Sequence, residues 1–325
     1  MDYLTENRKQ KTENRIKRLL AIVALGLAWG CPLMAPGPVC LLASPDSPRM
    51  QQAIAGFRAA WGGEPLEVAL APQFGLEGPK TLRRLLDRRP RLLVVFGAPA
   101  LMWVPPVDRR TPTVFAVVAD PYYTNAAWDP ADPAFHQENI TGIASPPPVK
   151  AILQQGASLL GPRPWGLLYD PNDGVAADLA RQWAKEAPRH GIQPMLETSA
   201  HEADDAPGLA RLMARGAQVL FIPPTASAGR YADSILELGR QKRVMVISGY
   251  PEGPHQGAAL WIALDYRQLG EAAAALARRV LAGDQPARIP IMEQTPLRLE
   301  VDDALLRHFM GYPPPRPAPL EPGSS

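Results

Sequence analysis

The stretch "NITGIASPPPVKAILQQGASLLGPRPWGLLYDPND", residues 139–173, contains the pattern of alternating helix and strand that recurs along most of the chain. Three consecutive prolines, Pro146 to Pro148, precede a segment whose apolar residues recur at helical spacing: Ile152, Leu159 and Leu160. The apolar run "WGLLY" at 165–169 follows and stops at Asp170-Pro171. This pattern predicts a connecting segment, an amphipathic helix and a buried strand that ends in a polar turn.

The same alternation of strand and helix continues on both sides of the prolines. Apolar runs of strand length lie at 39–43, 66–70, 91–96 and 113–118, and again at 165–169, 192–197, 218–222 and 244–248. Between them lie helical patterns, and the proline in "IQPMLE" (192–197) is typical of an edge strand. Strands that alternate with amphipathic helices predict parallel sheets covered by helices. Two such series, separated by a proline-rich joint, predict an α/β protein with two similar, Rossmann-like lobes.

Composition excludes several classes of function. The 325 residues include 34 basic and 32 acidic side chains, so a net charge of +2 argues against nucleic acid or an anionic membrane as the main partner. Two cysteines exclude a disulfide framework and a cysteine zinc site, and Cys40, inside an apolar run, is predicted to be a buried thiol. No histidine pair has metal-ligand spacing, and no phosphate loop, dinucleotide fingerprint or nucleophile elbow is present. We therefore expect neither a cofactor nor an enzyme.

The first residues resemble an export signal. A basic flank, "NRIKR" (14–18), precedes the apolar run "LLAIVALGLA" (19–28), which is too short to indicate a membrane span. "AWGC" (28–31) resembles a bacterial lipoprotein cleavage box and makes Cys31 a candidate for lipidation. The alternatives are ordinary cleavage, before Cys31 or after Ala35, and an uncleaved anchor. All of these predict a periplasmic or other extracytoplasmic protein, and the membrane is contacted only through an N-terminal anchor, if the N-terminus is uncleaved or lipidated.

Ligands of open parallel sheets bind outside the carboxyl ends of the strands, and polar or aromatic residues follow most of the strands predicted here. These candidates for ligand binding are Ser44, Ser47, Gly97, Ala98, Asp120, Tyr122, Tyr169, Thr225, Ser227 and Tyr250. Backbone N–H groups near Ser47 or Ser227 can hold an anion, Asp120 can accept from an ammonium, and the tyrosines can flank an apolar ring. Each residue also has an alternative role: Asp120 can start a turn, Ser47 can cap a helix, and the tyrosines can close the core.

Several motifs together resemble a known family. Asn139–Gly142 matches an N-V-T-G turn, and Tyr169-Asp170-Pro171 matches a strand that ends in Y-N-P. Asp120-Pro121 matches a D-P after an apolar strand, and Gly97–Ala100 matches G-T-P-A with Ala98 in place of threonine. Pro224–Ser227 matches P-T-D-N without its acid and amide, and 257–290 matches a late stretch that contains Asp265-Tyr266 and Leu269-Gly270. In this order, the motifs resemble the ABC-transporter substrate-binding protein family that includes tryptophan- and tyrosine-type uptake proteins.

The resemblance implies a type I periplasmic-binding-protein fold, with two α/β lobes joined by a hinge of several crossings. It implies a first lobe at 38–142 plus 249–285 and a second at 143–248 plus 286–312, after a leader at 1–37 and before a disordered tail at 313–325. It also implies that a small organic ligand, such as an aromatic amino acid, binds between the lobes with Asp120 and Asp265 as polar anchors. A membrane permease and its ATPase would receive that ligand. The alternative function is a ligand-sensing or partner-presenting periplasmic module that has no transporter.

Overall fold

Two six-stranded sheets form the two lobes of the protein. The computed structural model describes residues 37–44, 47–63, 66–70, 77–250 and 257–310. The predicted leader (apart from Gly37), with Cys31, and the predicted tail at 313–325 lie outside these residues.

The first series of elements runs to the end of β5. Its strands are β1 (Val39–Ala43), β2 (Leu66–Leu70), β3 (Leu92–Phe96), β4 (Thr113–Val118) and β5 (Ile140–Ala144). Its helices are α1 (Pro48–Trp61), α2 (Glu77–Leu86), α3 (Ala98–Leu101) and α4 (Val104–Val107). A short 3₁₀ helix, Tyr122–Thr124, follows β4.

The second series begins with α5 (Val149–Leu160). Its strands are β6 (Pro164–Tyr169), β7 (Gln193–Thr198), β8 (Val219–Ile222), β9 (Met245–Ser248), β10 (Leu260–Leu264), β11 (Met292–Glu293) and β12 (Leu297–Val301). Its remaining helices are α6 (Gly174–Glu186), α7 (Glu202–Ala214), α8 (Ala232–Lys242), α9 (Tyr266–Leu281) and α10 (Asp303–Met310). Short 3₁₀ helices occupy Ala187–His190, Ser227–Arg230 and Pro286–Arg288.

The strand order of the first sheet is β11-β5-β4-β3-β1-β2, and every pair in it is parallel. The second sheet has the order β12-β10-β9-β8-β6-β7 and is parallel except for the pair of β10 and β12. The prediction of two parallel-sheet lobes is therefore confirmed, and the proline-bearing strand β7 does lie at an edge.

The chain crosses between the sheets three times, but not where the resemblance implied. It crosses first at 145–148, between β5 and α5, so residues 143–144, expected in the second lobe, belong to the first sheet. Residues 249–285 were expected in the first lobe, yet β10 pairs with β9, and its five residues are buried in the second sheet. Residues 286–312 were expected in the second lobe, yet β11 pairs with β5 in the first sheet. The second and third crossings therefore lie at Asp265 and between β11 and β12.

The apolar helix and strand faces that residue spacing predicts are buried in the structure. The face of α1 buries Met50, Phe57 and Trp61 against the first sheet, where the rings of Phe57 and Trp61 stack at 5.2 Å. In the second lobe, Trp183 stacks on Phe221 at 4.5 Å. Cys40 is fully buried, as expected, and burial raises the pKa of its thiol to about 11. Each lobe thus has its own core, and the strand ends are left to form the space between the lobes.

Candidate functional site

The carboxyl ends of the two sheets face each other across a cleft that contains two adjoining cavities. The first, which we call the small chamber, has a volume of about 400 Å³ and is lined from the first lobe by Ser44 and Gly97 and from the second by Asp173 and Thr225. The second, the large chamber, has a volume of about 900 Å³. Both linings include Ala119, Pro147 and Val175, so the two chambers share a wall.

Two serines build the first-lobe side of the small chamber by capping helices. The buried Ser44 Oγ accepts a hydrogen bond from the Ala100 N–H of α3 at 3.2 Å. Ser47 is the N-cap of α1, and its Oγ accepts from the Met50 N–H at 3.4 Å. The capping role predicted for Ser47 is therefore present, and both residues also line the chamber. Their hydroxyl groups remain able to donate to a ligand.

Gly97 lets the end of β3 approach these groups. Its φ of +89° is one that side chains other than glycine rarely adopt. A Cβ atom there would lie 2.8 Å from the Ser44 Cβ and 3.2 Å from the Met50 Cε. Glycine is therefore required for this close contact, and Ala98 follows it in the lining.

The end of β4 is irregular where it reaches the small chamber. Val117 has a φ of +59°, which is unusual for a β-branched residue, and the register with β5 shifts between Phe115 and Val118. Such a bulge redirects a strand, and strained backbone of this kind is concentrated at functional sites. Here it precedes Ala119 and Asp120, which line the chambers.

On the second-lobe side, the carboxylate of Asp173 is occupied by backbone groups. Its Oδ1 accepts from the N–H groups of Val175 and Ala176 at the start of α6, at 3.1 and 3.2 Å. Its Oδ2 accepts from the Ser227 N–H at 3.3 Å. Thr225 is buried, and its hydroxyl lies 3.2 Å from that of Ser227. Asp173 thus joins two strand ends and has a structural role.

Among the lining residues of the small chamber that were not predicted as site residues are Arg49 and Tyr266. Arg49 lies in the first turn of α1 and is half-buried, and its guanidinium lies near the hydroxyl group of Tyr266. Tyr266 begins α9 and is 6% exposed. Burial raises the pKa of Tyr266, although the charge of Arg49 opposes this shift, so the phenol remains neutral. The sequence did contain a signal for Arg49: it is a basic residue in the first turn of a helix, a position that the helix dipole disfavours.

The large chamber is acidic and contains the predicted residues Asp120 and Tyr122. Asp120 Oδ1 accepts from the N–H groups of Tyr122 and Tyr123 at 2.8 and 3.4 Å, so Asp120 does start a turn. Burial raises the pKa of Tyr122, and the carboxylates of Asp120 and Glu293 add to this shift. The α6 side of the lining carries Asp178 and Arg181, which form an exposed ion pair at 2.9 Å.

Four predicted site residues lie outside the linings of both chambers: Tyr169, Ser227, Tyr250 and Asp265. Tyr169 packs on the core of the second lobe, and the Tyr250 carbonyl accepts from the Trp261 indole N–H at 2.8 Å. Asp265 caps α9 by accepting from the Gln268 N–H at 3.0 Å. These residues support the strand and helix ends around the cleft.

A polar network holds the end of β6 beside the cleft. Arg230 donates to Asp170 Oδ2 at 3.2 Å, to Asp205 Oδ2 at 3.2 Å and to the Ser199 carbonyl at 2.7 Å. Asp205 also accepts a very short hydrogen bond from the Ser199 hydroxyl. Asp170 and Asp205 are nearly buried, so the guanidinium compensates two carboxylates at once.

Within the described part of the chain, no cluster of histidine, cysteine, aspartate and glutamate could hold a metal ion. In that same part, no helix is long and apolar enough to cross a membrane.

Comparison with known proteins supports the interpretation of the cleft as a binding site. The model of a family described as "ABC transporter substrate binding protein" matches residues 79–307. No curated protein matches the chain in sequence.

Solved structures share the fold at low sequence identity. A conserved domain protein from Vibrio cholerae has 19% identity and a TM-score of 0.68, covering 86% of this chain and 96% of its own. An ABC domain in complex with L-Trp from Streptococcus pneumoniae has 14% identity and a TM-score of 0.67, covering 85% and 95%. A ligand-free, open substrate-binding protein with adhesive properties from Clostridium difficile has 14% identity and a TM-score of 0.68, covering 84% and 95%. These likenesses confirm the predicted type I periplasmic-binding-protein fold.

Proposed function

The chain belongs to the ABC transporter substrate-binding protein family, and from this premise we propose that it captures a small organic solute between its lobes and delivers it to a membrane permease. The substrate-binding proteins of such importers bind their solutes outside the cytoplasm. The export-type sequence at 14–28 supports a periplasmic location for this chain.

The observation that carries the proposal is that each chamber is lined from both lobes. In the small chamber Ser44 and Gly97 oppose Asp173 and Thr225, and in the large chamber Asp120 and Tyr122 oppose Val175 and Gln182. A solute in either chamber contacts both lobes, so it binds the closed arrangement more tightly than an open one and shifts the protein toward closure. Volumes of about 400 and 900 Å³ suit small organic molecules.

An aromatic amino acid or a similar compound is the solute that we propose. The structural neighbour from Streptococcus pneumoniae is a complex with L-Trp. In this chain, the half-buried ring of Tyr122 can flank an aromatic ring, and only one oxygen of Asp120 accepts the hydrogen bonds of its turn, which leaves the other for an ammonium.

The test is thermal unfolding of the purified protein against amino acids, nucleobases, sugars and small carboxylates. A solute at a hundredfold above its Kd adds about 2.7 kcal/mol of stability, which raises Tm by a few degrees. Ala119→Trp, which fills the shared wall of the chambers, should abolish the shift, whereas Ala214→Trp on the exposed surface of α7 should retain it. A shift that Ala119→Trp leaves unchanged would exclude the cleft as the binding site.

A further inference from the structure

Arg49 places a positive charge in the lining of the small chamber, where the described part of the protein provides little to compensate it. It is the second residue of α1, whose first turn contains no acidic residue. The N-terminus of a helix has a partial positive charge, so an arginine there is less favourable than an acidic residue. Arg49 is nevertheless half-buried and lines the small chamber. This arrangement favours the binding of an anion.

Among the described residues, no charged group around Arg49 is paired with it. Tyr266 lies near it in the same lining and is neutral, and Asp173, the acid in the lining of the small chamber, already accepts from three backbone N–H groups. No carboxylate among the described residues forms an ion pair with Arg49. Asp46 lies three residues earlier in the sequence, outside the described residues, and is therefore treated below as a control.

The groups around the guanidinium suit an oxyanion. The hydroxyl groups of Ser44, Ser145 and Thr225 belong to nearly buried residues of the same lining and can donate to oxygen atoms. A guanidinium binds a carboxylate through two parallel hydrogen bonds, and it is more rigidly directed when a second group orients it. The buried Tyr266 hydroxyl provides that orientation from α9.

The large chamber sets a complementary preference. A solute that places an anionic group beside Arg49 reaches the large chamber past Ala119, Pro147 and Val175. There it meets the carboxylates of Asp120 and Glu293, which repel a second anion and attract a cation. Arg181 is the guanidinium of that lining and is already paired with Asp178.

We propose that Arg49 binds a carboxylate of the solute, that Tyr266 positions its guanidinium, and that the solute's other end, cationic or neutral, extends into the large chamber. This inference rests on the proposed solute-binding function and narrows its ligand class to monocarboxylates, including amino acids whose ammonium lies away from Arg49. Dicarboxylates are excluded.

The test uses matched probes on two scaffolds and measures binding to the full chain by calorimetry. The aromatic set is L-phenylalanine, 3-phenylpropionate and phenethylamine, and the linear set is 6-aminohexanoate, hexanoate, hexylamine and adipate. In at least one set we expect the carboxylate-bearing compounds to bind and the amine alone to fail, with adipate weaker than 6-aminohexanoate. Arg49→Gln should weaken the binding of the carboxylates about thirtyfold or more. Arg58→Gln removes the same charge from an exposed position of the same helix and should change nothing.

Two further variants separate binding from positioning. Tyr266→Phe should weaken carboxylate binding by a smaller factor in the wild-type background and should add no further loss to Arg49→Gln, since it acts through that residue. Asp46→Asn should retain binding or strengthen it. Binding by Asp46→Asn that falls as far as in Arg49→Gln would indicate that Arg49 serves a structural ion pair and would overturn the proposal.

Other outcomes also overturn it. They are amine-only probes that bind as tightly as the carboxylates, equal affinity in Arg49→Gln and wild type, or failure of every probe at millimolar concentration. A sugar or nucleobase that binds equally to wild type and Arg49→Gln would overturn this inference and still support the proposed function.

Discussion

Gly270→Ala should destabilise the protein, because Gly270 lies at the contact between α1 and α9, and this contact holds the N-termini of both helices beside the cleft. Helices α1 and α9 are N-capped by Ser47 and Asp265 and carry Arg49 and Tyr266 in their first turns. A Cβ at Gly270 would overlap the Ala53 carbonyl oxygen and lie 2.8 Å from the Phe57 nitrogen. These are backbone atoms of α1, so no side-chain rotation can relieve the overlap.

The magnitude follows from two opposing terms. Restoring ordinary contact distances requires the helices to separate by about 1 Å, and overpacking of a core costs about 1–3 kcal/mol, here near the upper end. Alanine in a helix is more favourable than glycine by about 1 kcal/mol. The net loss in the free energy of unfolding should therefore be about 2 kcal/mol, which lowers Tm by roughly 3 °C in a chain of this length. The displaced Tyr266 should also reduce the shift in Tm that a bound solute produces.

Circular dichroism melts and urea unfolding measure this loss, with Gly174→Ala as the matched control. A Cβ at Gly174, at the start of α6, meets no atom within 4 Å, so its replacement should be neutral or add up to about 1 kcal/mol. Gly56 faces α9 in the same way, and a Cβ there would lie 2.8 Å from the Arg267 carbonyl carbon. Since one separation relieves both overlaps, Gly56→Ala and Gly270→Ala together should cost less than the sum of the single variants. A Gly270→Ala protein as stable as wild type would refute this account of the helix contact.

Three other perturbations have defined outcomes. Asp120→Asn should keep the turn and the stability of wild type but change the solute affinity measured by calorimetry. Asp120→Ala should also lower the free energy of unfolding by about 1 kcal/mol, because the hydrogen bond from the Tyr122 N–H is removed. Unchanged affinity in both variants would exclude Asp120 from binding. Arg230→Gln should lower the free energy of unfolding in urea by about 3 kcal/mol, since two nearly buried carboxylates lose their partner. Arg240→Gln, which breaks an exposed ion pair, should lower it by less than about 1 kcal/mol. Equal losses would contradict the stabilising role of the Arg230 network. Hydrogen bonds from Arg211 and Arg215 hold the pKa of Glu197 below its ordinary value of 4.5. The stabilising contribution of Glu197 is therefore present above that value and is lost as the pH falls through the lower, folded-state pKa. The Tm difference between wild type and Glu197→Gln should shrink from pH 7 toward acid, and a constant difference would contradict the pKa shift.

The regular alternation of elements was predictable because each strand and helix is coded locally. The apolar face of α1 and the edge position of β7 follow from residue spacing and from one proline. The later crossings were not predictable in this way. Strand β10 is apolar throughout and gives no sign of which sheet it joins, and β11 has two residues. Their partners are chosen by packing between residues that lie far apart in the chain.

The site was predicted in part for a similar reason. Ser44, Gly97, Asp120 and Thr225 line the chambers because strand ends converge whenever parallel strands form one sheet. The sequence did not reveal the pairing of Arg49 with Tyr266, because that contact joins the starts of two helices more than two hundred residues apart. The presence of a tyrosine at a strand end also does not indicate where its side chain lies: Tyr122 lines the large chamber, whereas Tyr169 packs on the core.

The central claim, that a solute closes the two lobes upon itself, is tested most directly by a distance across the cleft. Spin labels at Ala131→Cys and Lys185→Cys, in a Cys31→Ser background, occupy exposed positions of the two lobes outside the lining of either chamber, and Cys40 is buried. Pulsed electron paramagnetic resonance would record the distance with and without the solute that raises Tm. The account predicts a shortening of more than about 2 Å on saturation. An unchanged distance distribution with the solute bound would contradict it.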